Sequence, residues 1–316
     1  MAVYTDIEEK ALKEFLGGYE LGTLVGFEGI TEGIENSNFR LTTSSGSYIL
    51  TLFEKRMNPA ELPWFLGYMD HLAHEGVSCP LPVKDRDGRA LRTLAGRPAV
   101  IVTFLPGKAV SVITPDVCEE LGRAMALLHQ KGEGYRTERP NSLDAASWKP
   151  LLAQCRSNGD EAIEALIAQT SQNLDRILEH WPTQNTLPRG QIHADLFPDN
   201  VFFRDGKVSG LIDFYFACTD FLAYDLAICL NAWCFEAERQ YRPERAAGLI
   251  KGYETVRPLT REEKAVLPVL CQGAAVRFLL TRLYDWVHTP EGANVVRKDP
   301  WAYQIRLKHF MGSDCV

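Results

Sequence analysis

No C-x-x-C pair occurs among the eight cysteines of this 316-residue chain. Cys118, Cys229, Cys234 and Cys271 fall instead inside apolar helical patterns. They read as small core residues of a reducing compartment, and neither a disulfide framework nor a zinc site is expected. Basic residues are in deficit, 34 Lys and Arg against 41 Asp and Glu, for a net charge of -7. That balance argues against a nucleic-acid partner, because phosphate backbones reward basic surfaces. It leaves single nucleotides open, since local groups and Mg²⁺ bind those. The first ten residues show no basic segment followed by an apolar one, so no secretion signal is expected. No apolar run is expected to span a bilayer; the richest, residues 214–235, is interrupted by Asp220 and Asp225. Repeats and low-complexity segments are missing too. What remains is the composition of a cytoplasmic globular protein, 46% hydrophobic and 24% charged, with length for one large domain or two lobes. Monomer and homo-oligomer are equally compatible with it.

Against that plain background, Gln191-Ile-His193-Ala-Asp195-Leu-Phe-Pro-Asp-Asn200 stands out. An aspartate follows a histidine by two residues, and an asparagine follows the aspartate by five. H-x-D-x-x-x-x-N is the spacing of a phosphotransfer loop, in which the Asp takes the acceptor proton and the Asn holds Mg²⁺. Asp213, in Leu211-Ile-Asp-Phe, is a second metal-ligand candidate. Residues 201–203 and 208–212 are apolar runs joined through Asp205-Gly206, a strong hairpin signal. Such a hairpin is expected to set Asn200 and Asp213 side by side at its mouth, within reach of one ion. Each piece alone has a bland reading. H-x-D is common, Asp-Asn pairs are ordinary turn formers, and His193 with Asp195 equally suits two ligands of a metallohydrolase. The conjunction, in the right order, favours phosphotransfer.

Residues 1–105 read mainly as strands. Leu21-Gly-Thr-Leu-Val-Gly-Phe27 and Asn38-Phe-Arg-Leu-Thr-Thr43 flank a Gly-containing segment, and a turn at Ser44-Ser45-Gly46 leads into Tyr48-Ile-Leu-Thr-Leu-Phe53. This meander offers a loop whose backbone amides can cover phosphates, although without G-x-G-x-x-G it reads equally as a plain hairpin. A helix is expected next, with Asn58 as cap, Pro59 at its first position and Glu61 completing a capping box ahead of Trp64, Phe65, Tyr68 and Leu72. Loop and turn signals at Pro80-Leu-Pro and Arg86-Asp-Gly precede the strand Ala99-Val-Ile-Val-Thr-Phe-Leu105, which ends at a hinge of about residues 103–108. Residues 106–316 then turn helical. Thr114 caps a helix carrying Val117, Leu121, Ala124 and Leu128 on one face; another covers about residues 160–181; a capping box from Thr260 to Glu263 opens a long run to about His288. The predicted class is α+β, a small antiparallel-sheet N-terminal lobe and a larger, mainly helical C-terminal lobe.

At this point His193-Ala-Asp-Leu-Phe-Pro-Asp-Asn200 and Ile212-Asp-Phe resemble the aminoglycoside phosphotransferase and choline kinase superfamily, which has the protein-kinase-like fold. Gly33-Ile-Glu-Asn-Ser-Asn-Phe39, Tyr48-Ile-Leu-Thr-Leu-Phe-Glu-Lys55 and Tyr224-Asp-Leu-Ala-Ile-Cys-Leu-Asn-Ala-Trp233 are similar, more narrowly, to its homoserine kinases. The resemblance covers nearly the whole chain. It implies ATP and Mg²⁺ as cofactors and phosphorylation of L-homoserine to O-phospho-L-homoserine, a step of threonine biosynthesis. It implies Asp195 as catalytic base with His193 bracing the loop, Asn200 and Asp213 as Mg²⁺ ligands, and Gly33, Ile34, Asn36, Ser37 and Asn38 around the phosphates. Backbone groups of Thr103, Phe104 and Leu105 are expected to face the adenine. One departure is clear: the third strand usually carries a lysine for the α- and β-phosphates, and Thr51 stands there. Arg40 and Lys55 are candidates to supply the charge, or are simply solvated cations.

Homoserine is a zwitterion, so its site needs a cation for the carboxylate. Tyr215, Asn231, Trp233, Arg277 and Arg282 are the candidates, and packing is the simpler explanation for most of them. Arg277 and Arg282 lie five apart, so only one is expected to point inward. Rival readings keep the chemistry on another alcohol (choline, ethanolamine, methylthioribose, hydroxylysine, an aminoglycoside), or make the chain a non-catalytic nucleotide binder. A protein kinase is disfavoured, since no A-P-E-like element follows Asp213.

Overall fold

Alternation along residues 37–52 becomes the middle of an antiparallel sheet. In the computed structural model, which describes residues 4–30, 36–54, 58–183, 185–289 and 297–312, β1 (Leu24–Ile30), β2 (Ser37–Thr43) and β3 (Gly46–Leu52) form the expected meander. Two further strands, β4 (Leu91–Leu94) and β5 (Arg97–Thr103), complete the order β1-β2-β3-β5-β4. Phe39 and Leu41 turn one way from β2, while Arg40 and Thr42 are exposed on the other. The first face, joined by Leu50, Leu52 and Ile101, packs with Leu12, Phe15 and Leu16 of α1 (Glu9–Leu16) into one core. The opposite face carries Asn38, Arg40 and Thr51, since Asn38 pairs with Thr51 and Arg40 with Ile49.

Neither α1 nor β4 was expected from sequence. At eight residues α1 is too short to show a convincing period, and β4 turns into β5 through Ala95-Gly96, both at positive φ. Asn-Gly or Asp-Gly is the usual signature of that turn, so Ala95 hides it. The next helix, α2 (Leu62–His74), also starts later than expected. Asn58 accepts from Ala60 N–H (3.1 Å) in a turn of its own, and Glu61 takes the cap position without a side-chain bond. Pro63, not Pro59, occupies the first helical turn, where its missing N–H is harmless.

One compact unit runs through Gly107 and reclaims Ser209–Ile212; a second takes Lys108–Val208 and continues from Asp213. The second begins with α3 (Pro115–Gly132), capped by Thr114 as expected, then α4 (Ala145–Gln154), which the sequence reading missed, and α5 (Glu161–His180), capped by Asp160. β6 (Arg189–Ile192) pairs antiparallel with β9 (Cys218–Phe221), and between them β7 (Val201–Arg204) and β8 (Lys207–Leu211) form the hairpin. Its turn, Asp205 at φ 51° and Gly206 at φ 75°, has the left-handed pair that Asp-Gly favours. There follow α6 (Leu222–Trp233), the short pair β10 (Phe235–Glu236) and β11 (Gln240–Tyr241), α7 (Pro243–Glu254), α8 (Arg261–His288) and α9 (Pro300–Phe310). The Thr260–Glu263 capping box is formed in full. All twelve residues of α6 are buried. Contrary to the sequence expectation, α8 is long and apolar enough to cross a bilayer by length and composition; 72% of its apolar window is buried within the protein. A helix enclosed on most sides needs no polar face, and this removes the periodic signal. The seven described cysteines are all buried.

Helices α3 and α7 cross at glycine. A Cβ on Gly252 would lie 1.9 Å from the Glu119 carbonyl oxygen, and one on Gly122 would lie 2.2 Å from that of Leu249. Only hydrogen fits at either position. Gly252→Ala is therefore expected to destabilise the fold by about 1–3 kcal/mol through overpacking. Urea unfolding should show the midpoint falling with an unchanged slope; an unchanged midpoint would contradict this close crossing.

Candidate active site

The phosphotransfer loop starts where β6 ends. Gln191 fixes that end: its Nε2 donates to the carbonyls of Tyr135 (3.1 Å) and Thr137 (3.3 Å), and its Oε1 accepts from Thr219 Oγ1 (2.7 Å). The chain then reverses at Ala194, whose φ of 63° is left-handed. A residue with a side chain keeps that conformation only where its surroundings over-determine it, against about 1–3 kcal/mol. Both backbone groups of Ala194 are held. Its N–H donates to Asp225 Oδ1 (2.8 Å), and its carbonyl accepts from Arg277 Nη1 (2.6 Å).

Asp225 Oδ2 also accepts from the His193 N–H (2.9 Å) and faces His129 Nε2 (3.0 Å). Burial acts to raise the Asp225 carboxyl, but the hydrogen bond and field of His129, with His193, hold it below the ordinary carboxylate range. From His129 the chain of contacts runs to the Tyr253 hydroxyl (2.8 Å), which accepts from Arg257 Nη1 (3.1 Å), and Arg257 pairs with Glu263 (3.0 Å). The cap of α8 is thus linked to the loop. His129 and Tyr253 carry no signal in the sequence, because their contacts span 96 and 124 residues.

Asn200 Nδ2 donates to both the carbonyl (2.8 Å) and the carboxylate Oδ2 (3.1 Å) of Asp195. Two acceptors oblige the amide nitrogen to face Asp195, which leaves Oδ1, a hard oxygen, directed elsewhere. The Asp195 N–H donates to His193 Nδ1 (3.3 Å), and the buried His193 ring lies 4.5 Å from that of Phe214. The histidine braces the loop from inside. Beneath it, Trp233 Nε1 donates to the Leu196 carbonyl (2.7 Å). Asp213 sits beyond the hairpin in left-handed conformation (φ 63°, ψ 62°), exposed, and its charge reaches Asp195. Burial pushes the Asp195 carboxyl up to about 8, with Arg277 opposing the rise and Asp213 adding to it. Enclosure raises its proton affinity, which suits a group that receives a hydroxyl proton.

Other expected site residues are placed differently. Asn231 Nδ2 bonds the carbonyls of Ala227 and Cys271 (both 3.0 Å), stitching α6 to α8. Trp233 braces the loop through its bond to Leu196. Arg282 is committed to Glu238 (2.9 Å) and the Asp299 carbonyl (3.0 Å), whereas Arg277 turns to the loop. Tyr215 is half-buried, and desolvation with the Asp213 charge raises its hydroxyl.

In the first unit the Ser37 hydroxyl accepts from the N–H groups of Tyr4 (2.8 Å) and Thr5 (3.1 Å) and donates to Glu54 (2.8 Å). Its bonding capacity is spent on holding strand ends. Asn36 Oδ1 accepts from the Glu54 N–H (3.3 Å) and Asn38 Oδ1 from Thr51 Oγ1 (2.7 Å). The Thr103 N–H donates to the Leu81 carbonyl (3.0 Å), so it is not available to a base; the Arg40 guanidinium stacks over Phe104 at 4.7 Å, and Leu105 packs over Gly210. Gly33, Ile34 and Lys55 lie outside the described residues. Among the described residues no cluster of three or more His, Cys, Asp or Glu side chains forms a metal site.

This chain belongs to the phosphotransferase enzyme family, whose sequence model matches residues 26–259. It is 60% identical to the homoserine kinase of Gluconobacter oxydans over all 316 residues and the whole of that protein. It is 54% identical to the homoserine kinase of Sinorhizobium medicae over 98% of this chain and 94% of the relative. Among solved structures, an amicoumacin kinase in complex with AMP-PNP and Ca²⁺ superimposes with a TM-score of 0.73 at 17% identity, covering 96% of this chain and 92% of its own. The choline kinase of Cryptosporidium parvum gives 0.64 at 13%, covering 90% and 88%. The fold is the protein-kinase-like one that the sequence resemblance implied.

Proposed function

We propose that this protein transfers the γ-phosphoryl group of ATP to the hydroxyl of L-homoserine, giving O-phospho-L-homoserine. Full-length similarity to homoserine kinases supports the substrate. The observation that carries the chemistry is Asn200 bound to both the carbonyl and the carboxylate of Asp195, on which the Asp213 charge also acts. Phosphoryl transfer asks the protein for in-line positioning and charge neutralisation rather than covalent work. Asp195 orients the acceptor hydroxyl and takes its proton. His193, Asp225 and Trp233 hold the loop in shape.

Asn200 Oδ1 and the Asp213 carboxylate are hard oxygens that suit Mg²⁺, a cation content to take its other ligands from phosphates and water. When bound there, Mg²⁺ neutralises phosphate charge. The first unit is assigned to the nucleotide, with residues 36–38 contributing to phosphate binding. Thr51, engaged by Asn38, is neutral, and Arg40 is the exposed cation on the same sheet face.

A coupled ADP-release assay with Mg-ATP tests the substrate, run against L-homoserine, L-serine, L-threonine, choline, ethanolamine, methylthioribose and kanamycin. Turnover should be confined to homoserine. Turnover of another acceptor in its place overturns the substrate, and silence across the panel with ATP still bound favours the non-catalytic reading.

A further inference from the structure

Arg277 is buried, with 2% of its surface exposed, yet its bonding is far from complete. Among the described residues only one of its five N–H donors, on Nη1, is used, by the Ala194 carbonyl. Nε is buried without a hydrogen-bond partner, and among the described residues no carboxylate forms an ion pair with the guanidinium. Removing a cation from water is unfavourable by several kcal/mol unless a partner compensates it. The protein satisfies its other buried arginines. Arg282 holds Glu238 and the Asp299 carbonyl, and Arg306 holds the carbonyls of Asn231 (2.8 Å) and Glu238 (3.2 Å).

The unmet edge has a definite shape. With Nη1 engaged, the Nε–Nη2 side of the fork remains, the side that takes a carboxylate through two parallel bonds. The ring of Phe278 lies 4.5 Å from the guanidinium carbon and that of Phe216 5.7 Å, which keeps the plane fixed and the surroundings apolar. Phe278 in turn packs edge-on against Phe197 of the loop (4.9 Å). The place matters as much as the shape. Arg277 bonds the residue just before Asp195 and its field acts on the Asp195 carboxyl. Neighbouring Cα atoms are about 3.8 Å apart, and the hydroxyl oxygen and carboxylate carbon of a four-carbon amino-acid alcohol are separated by about 5 Å.

We propose that Arg277 binds the carboxylate of the acceptor, and thereby selects amino-acid alcohols over amine alcohols of the same length. The proposal rests on the phosphotransfer reading above. Its test compares L-homoserine with 3-aminopropan-1-ol, which is homoserine without the carboxyl group, in wild type, Arg277→Met and Arg277→Lys. The wild type should prefer homoserine strongly. Arg277→Met should raise KM for homoserine by about 10²-fold and collapse the preference, the scale of a lost buried charge-assisted contact; Arg277→Lys should restore part of it. Equal losses on both acceptors, or an unchanged KM for homoserine, overturn the assignment, because a purely structural arginine has no reason to distinguish them. If Arg277→Met does not fold, Arg277→Lys alone decides. A point charge replaces the two-pronged contact, so the preference must fall at least tenfold, and an unchanged preference overturns the proposal. Failure of the wild type on homoserine is read separately and sinks the substrate, not the arginine.

Discussion

Asp195→Ala is expected to lower kcat by about 10³–10⁴-fold, the scale for removing a positioned base, while Mg-ATP binding survives. The carboxylate is the group whose proton affinity the fold raises, and it is the anchor for Asn200. The Asp195 carbonyl still accepts from Asn200 in the variant, so the loop is expected to keep its outline. Fluorescent-nucleotide titration beside steady-state turnover separates the two effects. Full activity in the variant would remove Asp195 from the chemistry.

Asp225→Asn should be the most damaging single change to the fold that leaves side-chain volume intact, at about 3–5 kcal/mol. Asp225 meets two backbone N–H groups and a ring nitrogen, all served by acceptor oxygens. An amide nitrogen in place of either oxygen sets donor against donor, and the left-handed Ala194 loses one of its two restraints. The same contacts fix a pH dependence. The folded carboxyl lies below the ordinary value of about 4, so its contribution is complete above pH 4 and lost as pH falls through the folded value. Acid unfolding of the variant should therefore begin from lower stability and fall less steeply below pH 4. Equal slopes in both proteins would contradict this account.

Local signals carried the sequence reading well where the physics is local. Asp205-Gly206 predicted its hairpin because few dipeptides accept two left-handed residues, and Thr260 with Glu263 predicted a helix start because they exchange bonds three residues apart. The loop from His193 to Asn200 was legible for the same reason: its spacing encodes contacts within eight residues, such as Asn200 to Asp195. The rest depends on distance along the chain. The Ser37 hydroxyl is held by Tyr4, Thr5 and Glu54, partners 33, 32 and 17 residues away. Asn231 bonds Cys271 and Trp233 bonds Leu196, contacts that span 40 and 37 residues. Arg277 and Arg282 cannot be told apart by their own helix; what separates them is Glu238 meeting one and Ala194 the other.

The most direct test is to incubate the protein with Mg-ATP and L-homoserine and follow the mixture by ³¹P NMR. A new phosphomonoester resonance coupled to methylene protons should grow in step with ADP, one for one, and only when homoserine is present. ADP accompanied by inorganic phosphate, or no loss of ATP at all, would contradict transfer to the homoserine hydroxyl.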